Sequence, residues 1–506
     1  MMADQSFFLT LLVFSPIVGM AILLFIPKGQ KAVIKAIGVL ATLLPLILAV
    51  IAYLNFDKKI AEIQFAQYHE WINFSNFTLL NYGANLVIPY ELGLNGFTML
   101  LVLLTALVST LAAVASSIQI KEGLKAYFLL FLLLEIGMLG VFCSQNLFLF
   151  FLFFELTLIP MFFLIGKWGY ADREKAAYSF LIYNGLGSAV LLIAIVALFI
   201  KTSTLNIEEL TFIMQMVAGP DVDSFKWGIL TAFIIAFGVK LPIYPLHSWM
   251  LRVHVQAPPA VVMIHSGILL KIGAYGLIQF GLGFFPEQVE SIALVLAILG
   301  VINLLYGAFV AFVQKDLKMV LAYSSISHMG IVLIGLASLN EIGVKGAIFQ
   351  VVSHGLISAL LFFLVGVYYE RTNTSMLPRL GGLAKSMPVA SGFLLAGGMA
   401  SLGLPGMSGF ISEFMAFAGL FKQFPVVMVI GALGIILTAV YILRAVLNVT
   451  FGPALEEWNG ARDMRPVEMI PAAVLLLFII LIGVYPSVLA EPLQMTLQII
   501  LSRIGG

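Results

Sequence analysis

Residues 236–247 read Ala236-Phe237-Gly238-Val239-Lys240-Leu241-Pro242-Ile243-Tyr244-Pro245-Leu246-His247, so that a lysine and two prolines interrupt a long apolar segment. A proline inside a helix removes a backbone hydrogen bond and clashes with the preceding turn. In a bilayer, backbone freed in this way is tolerated only where it is buried in protein or lines a cavity. The stretch therefore predicts a broken transmembrane helix that places Lys240 beside a cavity.

The composition around this stretch is that of a membrane protein. Hydrophobic residues make up 61% of the 506-residue chain and charged residues only 10%, whereas soluble domains are about half apolar and about a quarter charged. A transmembrane helix needs roughly 20 predominantly apolar residues, and the chain accommodates about fourteen of them. The sequence predicts an all-α polytopic membrane protein, with the apolar segment from Phe7 to Pro27 as a retained first helix.

A second break of the same kind occurs later, where Gly403-Leu404-Pro405-Gly406-Met407-Ser408-Gly409 interrupts an apolar run and Glu413 follows. Paired breaks in corresponding positions of two halves are typical of inverted-repeat transporters. We therefore expect helices 1–3 and an outward-facing loop within residues 1–124, and two inverted five-helix repeats over 125–280 (helices 4–8) and 281–452 (helices 9–13). Helix 14 and a short tail would occupy residues 453–506.

The distribution of basic residues predicts the orientation. Two longer loops, residues 55–91 and 201–226, should lie on one face of the membrane. The alternate loops that begin with Lys28 carry 16 basic residues, against 7 on the other face. Cytoplasmic loops carry the excess of Lys and Arg, so that the first set should be cytoplasmic and both termini should face outward.

Six charged residues fall inside predicted spans, and they are Glu135, Glu155, Glu413, Lys240, Lys271 and Arg444. A charge at mid-bilayer costs about 2.5–3.5 kcal/mol on insertion scales, and such residues usually face partners or water and mark ion pathways. Lys240 is a candidate partner for Glu155, which has apolar neighbours on every side of its helix. Their protonation would then be coupled.

Two histidines, His328 and His354, stand between the two breaks together with Lys271. Histidine gains and loses a proton near neutral pH, and a carboxylate, lysine and histidine set distributed through a bilayer has the parts of a proton relay. Structural ion pairs are the alternative for the glutamates and lysines, with Glu135 as the most open case, and structural hydrogen bonds are the alternative for both histidines.

The other polar residues are given structural roles. His247 is expected to satisfy freed backbone at the break, and His265 to pack or to hydrogen-bond between helices. Arg444 is expected to reach the surface near the end of its span. His69 and His254 are assigned to loops.

Several function classes are excluded. The net charge of +1 and the absence of a basic stripe argue against nucleic acid as a partner. The single cysteine, Cys143, cannot assemble an iron–sulfur cluster alone. The sequence also contains no phosphate-binding loop and no His-Glu-x-x-His zinc motif. No metal or cofactor site is predicted, and the expected partners are the lipid bilayer and protons.

The motifs together resemble the antiporter-like subunits of bacterial NADH:quinone oxidoreductase, respiratory complex I. The residues that carry the resemblance are Phe153-Phe154-Glu155-Leu156-Thr157-Leu158-Ile159-Pro160-Met161, Val239-Lys240-Leu241-Pro242, His254-Val255-Gln256-Ala257-Pro258, Leu269-Leu270-Lys271, Asp316-Leu317-Lys318, the run from Ala322 to Gly330, and Gly409-Phe410-Ile411-Ser412-Glu413-Phe414. The resemblance extends from about Gly93 to the last span.

The resemblance implies fourteen helices with broken seventh and twelfth members, and a proton-pumping subunit of a membrane arm. Glu155 and Lys240 would be a pair, Lys271 the central lysine, His328 and His354 the connecting histidines, and Glu413 the exit-side glutamate. It implies no redox centre in this chain, with NADH, flavin, iron–sulfur clusters and quinone on partner subunits. Those partners would include L-like and N-like antiporter-like subunits and small membrane subunits, in the inner (plasma) membrane of the cell.

Other classes of function stay open. A subunit of a multi-subunit Na⁺/H⁺ antiporter and the membrane arm of an energy-converting hydrogenase share this helix plan, and a non-conducting scaffold is the third alternative. The sequence also departs from the family at Arg252, where an acidic residue is frequent, and at Met319, where an arginine commonly stands.

Overall fold

A computed structural model describes residues 7–73, 87–502 and 504, which fold into helices and one β-hairpin. The chain begins with α1 (Phe8–Phe14), α2 (Pro16–Phe25), α3 (Lys31–Asn55), β1 (Gln64–Asn73), β2 (Val87–Leu94), α4 (Gly96–Gln119), α5 (Leu124–Cys143), α6 (Leu147–Trp168), α7 (Arg173–Thr202) and α8 (Ile207–Met216). The next elements are α9 (Pro220–Lys240), α10 (Ser248–Gln256), α11 (Pro259–Ile264) and α12 (Leu270–Gly276), with π-helical turns at His265–Leu269 and Leu277–Leu282.

The second half of the chain is also helical. It comprises α13 (Pro286–Ser291), α14 (Ala293–Val313), α15 (Leu317–Ala337), α16 (Glu341–Thr372), α17 (Pro388–Ser401), α18 (Ser408–Gln423), α19 (Pro425–Phe451), α20 (Pro466–Val484) and α21 (Ser487–Ser502). Short 3₁₀ turns occupy Leu377–Arg379 and Glu456–Trp458.

Twelve helical spans in the described part of the chain are long and apolar enough to cross a membrane, and the bent pair α1 and α2 would make a thirteenth. The predicted polytopic helical fold is thus confirmed, whereas the count of fourteen is not. The difference lies at the second predicted break, where α17 is too short to cross by itself and α18 follows after residues 402–407.

The prediction of a loop over residues 55–91 is wrong for the residues that the structure describes, because β1 and β2 pair antiparallel there. His69, also assigned to a loop, is an exposed residue of β1 that stacks on Phe7. Residues 74–86 of the predicted loop lie outside the described residues. Alternating polar and apolar residues are a strand signal that a search for apolar spans does not detect.

The second predicted loop, residues 201–226, also contains structure, because α8 and the start of α9 lie within it. Asn206 next to α8 donates a hydrogen bond to Glu91 of β2, with 3.0 Å between Asn206 Nδ2 and Glu91 Oε2. This contact confirms that the two long connections lie on one face. We call it the opposite face, and we call the face with the loops 120–123, 169–172 and 314–316 the basic face.

Four spans form the centre of the bundle. The span at Pro259–Leu282 and α16 are wholly buried, and α15 and α4 are 94% and 89% buried. The helices α3 and α19 are only 33% and 28% buried, and their exposed residues are largely Leu, Ile and Val. Apolar side chains on the outside of the bundle suit contact with lipid, while the charged residues can be held within it.

The first predicted break is present between α9 and α10. Asn303 of α14 satisfies backbone there, because its Oδ1 accepts from Tyr244 N at 2.7 Å and its Nδ2 approaches Pro242 O at 3.4 Å. His247 does not have the expected backbone role, since its Nε2 lies 3.3 Å from the Tyr306 hydroxyl. The broken helix is therefore held open by a neighbouring span.

Candidate functional site

The central part of the bundle contains a chain of four titratable side chains in close contact. Lys271 Nζ lies 2.6 Å from His354 Nδ1. The rings of His354 and His328 are 5.4 Å apart between centroids, and His328 Nδ1 lies 3.4 Å from Glu413 Oε1. All four residues are at most 5% exposed. The structure thus brings together four of the predicted relay residues, from α12, α15, α16 and α18.

Polar side chains that the sequence reasoning missed hold the end of this chain in place. Gln350 Nε2 lies 3.2 Å from His328 Nδ1, while Gln350 Oε1 accepts a hydrogen bond from the Ser412 hydroxyl at 2.5 Å. Ser401 contacts the other ring nitrogen of His328 at 3.3 Å. A glutamine inside an apolar helix is a signal that was available, because buried polar groups need partners.

Glu413 lies beside the second helix break. Gly403 in that break has φ +79°, a conformation that favours glycine, and a Cβ at this position would lie 2.8 Å from Glu413 Oε2. Residues 404–406 of the break are exposed. The break therefore brings the carboxylate close to the surface of the bundle without a side chain in between.

Two π-helical turns flank the helix segment that carries Lys271, one before α12 and one after it. Such turns widen a helix by one residue and occur frequently at functional sites. Lys271 is fully buried, and its described neighbours besides His354 include Met329 Sδ at 3.9 Å. A wholly buried amine with one hydrogen-bonding partner depends on that partner for its protonation state.

The predicted ion pair between Glu155 and Lys240 is not formed as a contact. Lys240 Nζ instead lies over the rings of Phe154 at 5.0 Å and Phe180 at 5.7 Å, and Glu155 Oε1 is buried without a described hydrogen-bond partner. Glu155 is still close enough for its charge to act on Lys240. Aromatic side chains therefore stand where a carboxylate contact was expected.

A buried histidine pair continues from Lys240, and the assignment of His254 to a loop is wrong. His254 lies in α10 and is 0% exposed, and its Nε2 is 2.9 Å from His265 Nδ1. The expected interhelical hydrogen bond of His265 is thus confirmed. Phe180 packs against both His265 and Lys240. The loop assignment failed because the chain resumes a helix, α10, directly after the break, and the tertiary fold buries His254 there.

Three further charged residues share no described hydrogen bond or ion pair with the residues above. Glu135, a candidate relay residue, is 0% exposed, and both of its carboxylate oxygens lack a described hydrogen-bond partner, so that the alternative of a structural pair with a neighbouring helix is not seen. Arg444 is exposed and donates to the Phe312 carbonyl, as expected for a residue that reaches the surface. Lys226, counted as a loop residue in the sequence, is buried in α9.

Comparison with known proteins places this geometry in a family. The family model described as NADH:quinone oxidoreductase/Mrp antiporter, TM, matches residues 144–438. NADH-quinone oxidoreductase subunit M of Rickettsia conorii is 37% identical over 498 residues, which cover 97% of this chain and 98% of that protein. The matched residues include the chain from Lys271 to Glu413 and the residues around Lys240, which are Glu155, His254 and His265.

Solved structures show the same fold. A chain of respiratory complex I from Thermus thermophilus with bound NADH superposes with a TM-score of 0.84 at 29% identity, covering 98% of this chain and 100% of that chain. A chain of the Mrp complex from Dietzia has a TM-score of 0.82 at 20% identity, with 98% of this chain and 100% of that chain covered. The second likeness is one of fold alone.

Proposed function

Because the chain belongs to the family of transmembrane subunits shared by NADH:quinone oxidoreductases and Mrp antiporters, we propose that it translocates protons as the M-type, antiporter-like subunit of an NADH:quinone oxidoreductase. The observation that carries the proposal is the continuous buried chain from Lys271 through His354 and His328 to Glu413. A scaffold would have no need for this arrangement, since intramembrane ionisable residues are expensive to bury.

The chemistry of the chain is proton transfer between neighbouring side chains. A protonated Lys271 donates to His354 Nδ1, which leaves a neutral amine and an imidazolium. The imidazolium passes a proton on to His328, and His328 protonates the Glu413 carboxylate, which releases the proton beside the second helix break. Because the four groups are in close contact, their titrations are coupled and belong to the set.

The residues around Lys240, namely Glu155, His265 and His254, supply charge to the chain from Lys271 to Glu413. Lys240 lies between the Glu155 carboxyl and the pair His265–His254, and the charges of Lys240 and Lys271 both act on His265. A change in the protonation of Glu155 therefore alters the free energy of a proton on the histidine pair and, through it, on Lys271. In the complex, quinone reduction on partner subunits would drive these changes.

The assignment to an oxidoreductase rather than to an antiporter is supported by sequence. The Rickettsia conorii relative, named NADH-quinone oxidoreductase subunit M, is 37% identical over almost the whole chain, against 20% for the Mrp chain. The proposal includes a location in the inner membrane, with the basic face in the cytoplasm and both termini outward. NADH, flavin, iron–sulfur clusters and quinone would be held by partner subunits, and L-like and N-like subunits would be its neighbours.

The proposal is tested by NADH-driven proton uptake in inverted membrane vesicles that contain the whole complex. Glu155→Gln, Lys240→Ala and Lys271→Met should each assemble and reduce proton transport per NADH oxidised at least tenfold. Lys345→Met is the matched control, because Lys345 pairs with Glu341 at the helix surface. Normal transport in assembled Lys271→Met complexes would refute the relay, and transport that follows Na⁺ instead of H⁺ would favour the antiporter function.

A further inference from the structure

Lys318 is a buried lysine that the chain from Lys271 to Glu413 does not include. It stands in the first turn of α15, where the Asp316 carboxylate caps the helix by accepting a hydrogen bond from Lys318 N at 2.8 Å. Its side chain is only 3% exposed. Among the described ion pairs, none joins Lys318 to a carboxylate.

Two tyrosine rings hold the Lys318 amine instead. Lys318 Nζ lies 3.7 Å from the ring centroid of Tyr170 and 4.4 Å from that of Tyr369, and the two ring centroids are 4.8 Å apart. The Val255 carbonyl is 3.5 Å from the same nitrogen. Ring faces attract the charged amine but, unlike a carboxylate, carry no full negative charge to hold its proton.

The four residues of this cluster come from both predicted repeats. Tyr170 follows α6 and Val255 belongs to α10, whereas Lys318 begins α15 and Tyr369 lies near the end of α16. The cluster therefore closes the seam between the two halves at the basic face. A backbone hydrogen bond of 2.8 Å from Tyr170 N to Gln256 O, both in the first half, holds Tyr170 next to the end of α10.

Two cavities open on either side of the cluster. One has a volume of 340 Å³ and is lined by Arg252, Val255 and Met319 among others. The other has a volume of 380 Å³ and is lined by Tyr170, Tyr369 and residues of the basic-face loops. Each is large enough for several water molecules. The Lys318 amine contacts a lining residue of each, Val255 in the first cavity and Tyr170 and Tyr369 in the second.

His254 is the residue before Val255 in α10, and its Nδ1 is buried without a described hydrogen-bond partner. Its Nε2 is already bonded to His265. We infer that Lys318 is the proton-uptake residue of the basic face, which receives protons from the flanking cavities and delivers them toward His254 and His265. This inference rests on the proposed proton-translocating function and assigns the group that loads it.

The uptake step conserves charge and atoms. The Lys318 ammonium releases one proton toward Nδ1 of His254, which becomes an imidazolium, and the lysine becomes a neutral amine. A neutral amine no longer binds the two ring faces through charge, so that the tyrosines are free to separate and the cavities can supply the next proton. Reprotonation of the amine restores the closed cluster.

Replacing Lys318 with arginine or with methionine distinguishes a lysine that transfers protons from one that serves only as a structural cation. Lys318→Arg keeps a cation over the tyrosine rings but cannot give up its proton, whereas Lys318→Met removes both properties. Lys315→Met is the matched control, because Lys315 is exposed three residues earlier on the same face. Proton uptake per NADH oxidised is measured in vesicles holding the assembled complex.

We expect both Lys318 variants to lose transport at least fivefold, with Lys315→Met normal. If Lys318→Arg transports normally while Lys318→Met does not, the residue is a structural cation and the inference is overturned. If Lys318→Met does not assemble, Lys318→Arg alone decides. Normal transport in both variants, together with loss in Lys271→Met, would refute only this uptake site, whereas normal transport in all three would refute the proposed function as well.

Discussion

Replacing Gly403 with alanine should displace the Glu413 carboxylate while leaving the packing of the helices intact. The added Cβ would lie 2.8 Å from Glu413 Oε2, and ordinary contact begins at 3.4 Å. The carboxylate, which is the far end of a flexible side chain, must therefore retreat by roughly 0.6 Å, because atoms in well-packed interiors leave no slack. Its other oxygen is 3.4 Å from His328 Nδ1, so that the retreat weakens the last contact of the proton chain.

The magnitude follows from two separate effects. A non-glycine residue at φ +79° costs about 1–2 kcal/mol of stability. A misplacement of about 1 Å in a reacting group can cost about 100-fold in rate, so that the smaller retreat should cost roughly tenfold in proton transport.

Gly406→Ala is the matched control. Gly406 lies in the same break at φ +90°, but a Cβ there would meet nothing within 4 Å. It should therefore lose similar stability and keep its transport. Proton uptake per NADH oxidised and the thermal midpoint of the assembled complex are measured for both variants. Equal transport in the two variants would refute the argument, since only one of them can displace Glu413.

Three further perturbations follow from other contacts. His354→Gln can still hydrogen-bond to Lys271 but cannot carry a proton, so that transport in vesicles should fall at least tenfold with assembly unchanged; normal transport would remove His354 from the path. Asn303→Leu leaves Tyr244 N without its acceptor at the first helix break and should cost about 2–4 kcal/mol, seen as a lower thermal midpoint; an unchanged midpoint would contradict the bridging role. Burial raises the pKa of Glu91 from 4.5 to about 7, so that ionisation destabilises the native state increasingly as the pH rises from about 4.5 through 7. Glu91→Gln removes the cost of ionising a buried carboxyl. The thermal midpoint of this variant, measured relative to the unchanged protein, should therefore rise between pH 5 and pH 8 by the equivalent of about 1–2 kcal/mol after allowance for solvent contact. A difference that does not change with pH would contradict the raised pKa of Glu91.

The parts of the fold that depend on local composition were predictable from the sequence. Apolar length predicted the spans, and proline placement predicted both helix breaks. The hairpin β1–β2 and the helix α8 were not predicted, because both are short and partly polar, and their structure depends on packing against the ends of the spans. The bent pair α1–α2 begins its second helix at Pro16, which the length criterion alone cannot locate.

The candidate site was predictable as a set of residues but not as a set of contacts. Charged residues in apolar segments are visible in any sequence, and thus Lys271, His328, His354 and Glu413 could be selected together. Which groups touch depends on the rotation of each helix, and the one expected partner contact, Glu155 with Lys240, is replaced by aromatic rings. His254 was missed because α10 is a short helix after the break whose burial depends on tertiary packing.

The chain from Lys271 to Glu413 and the residues around Lys240 differ in whether a proton can pass directly between neighbouring side chains. Lys271 is hydrogen-bonded to His354 and His328 is paired with Glu413, whereas the rings of His354 and His328 touch without a described hydrogen bond. In the proposed relay, the step between the two rings is therefore the one that requires side-chain movement. Around Lys240, by contrast, the rings of Phe154 and Phe180 lie against the amine, and a proton cannot pass through a ring. Phe180 contacts both Lys240 and His265, so that in the proposed mechanism Lys240 acts on His265 through its charge and not through direct proton transfer. The proposed mechanism therefore needs two arrangements of the Lys240 region with different charges, and we expect them to differ at the break between α9 and α10, where Asn303 satisfies the backbone.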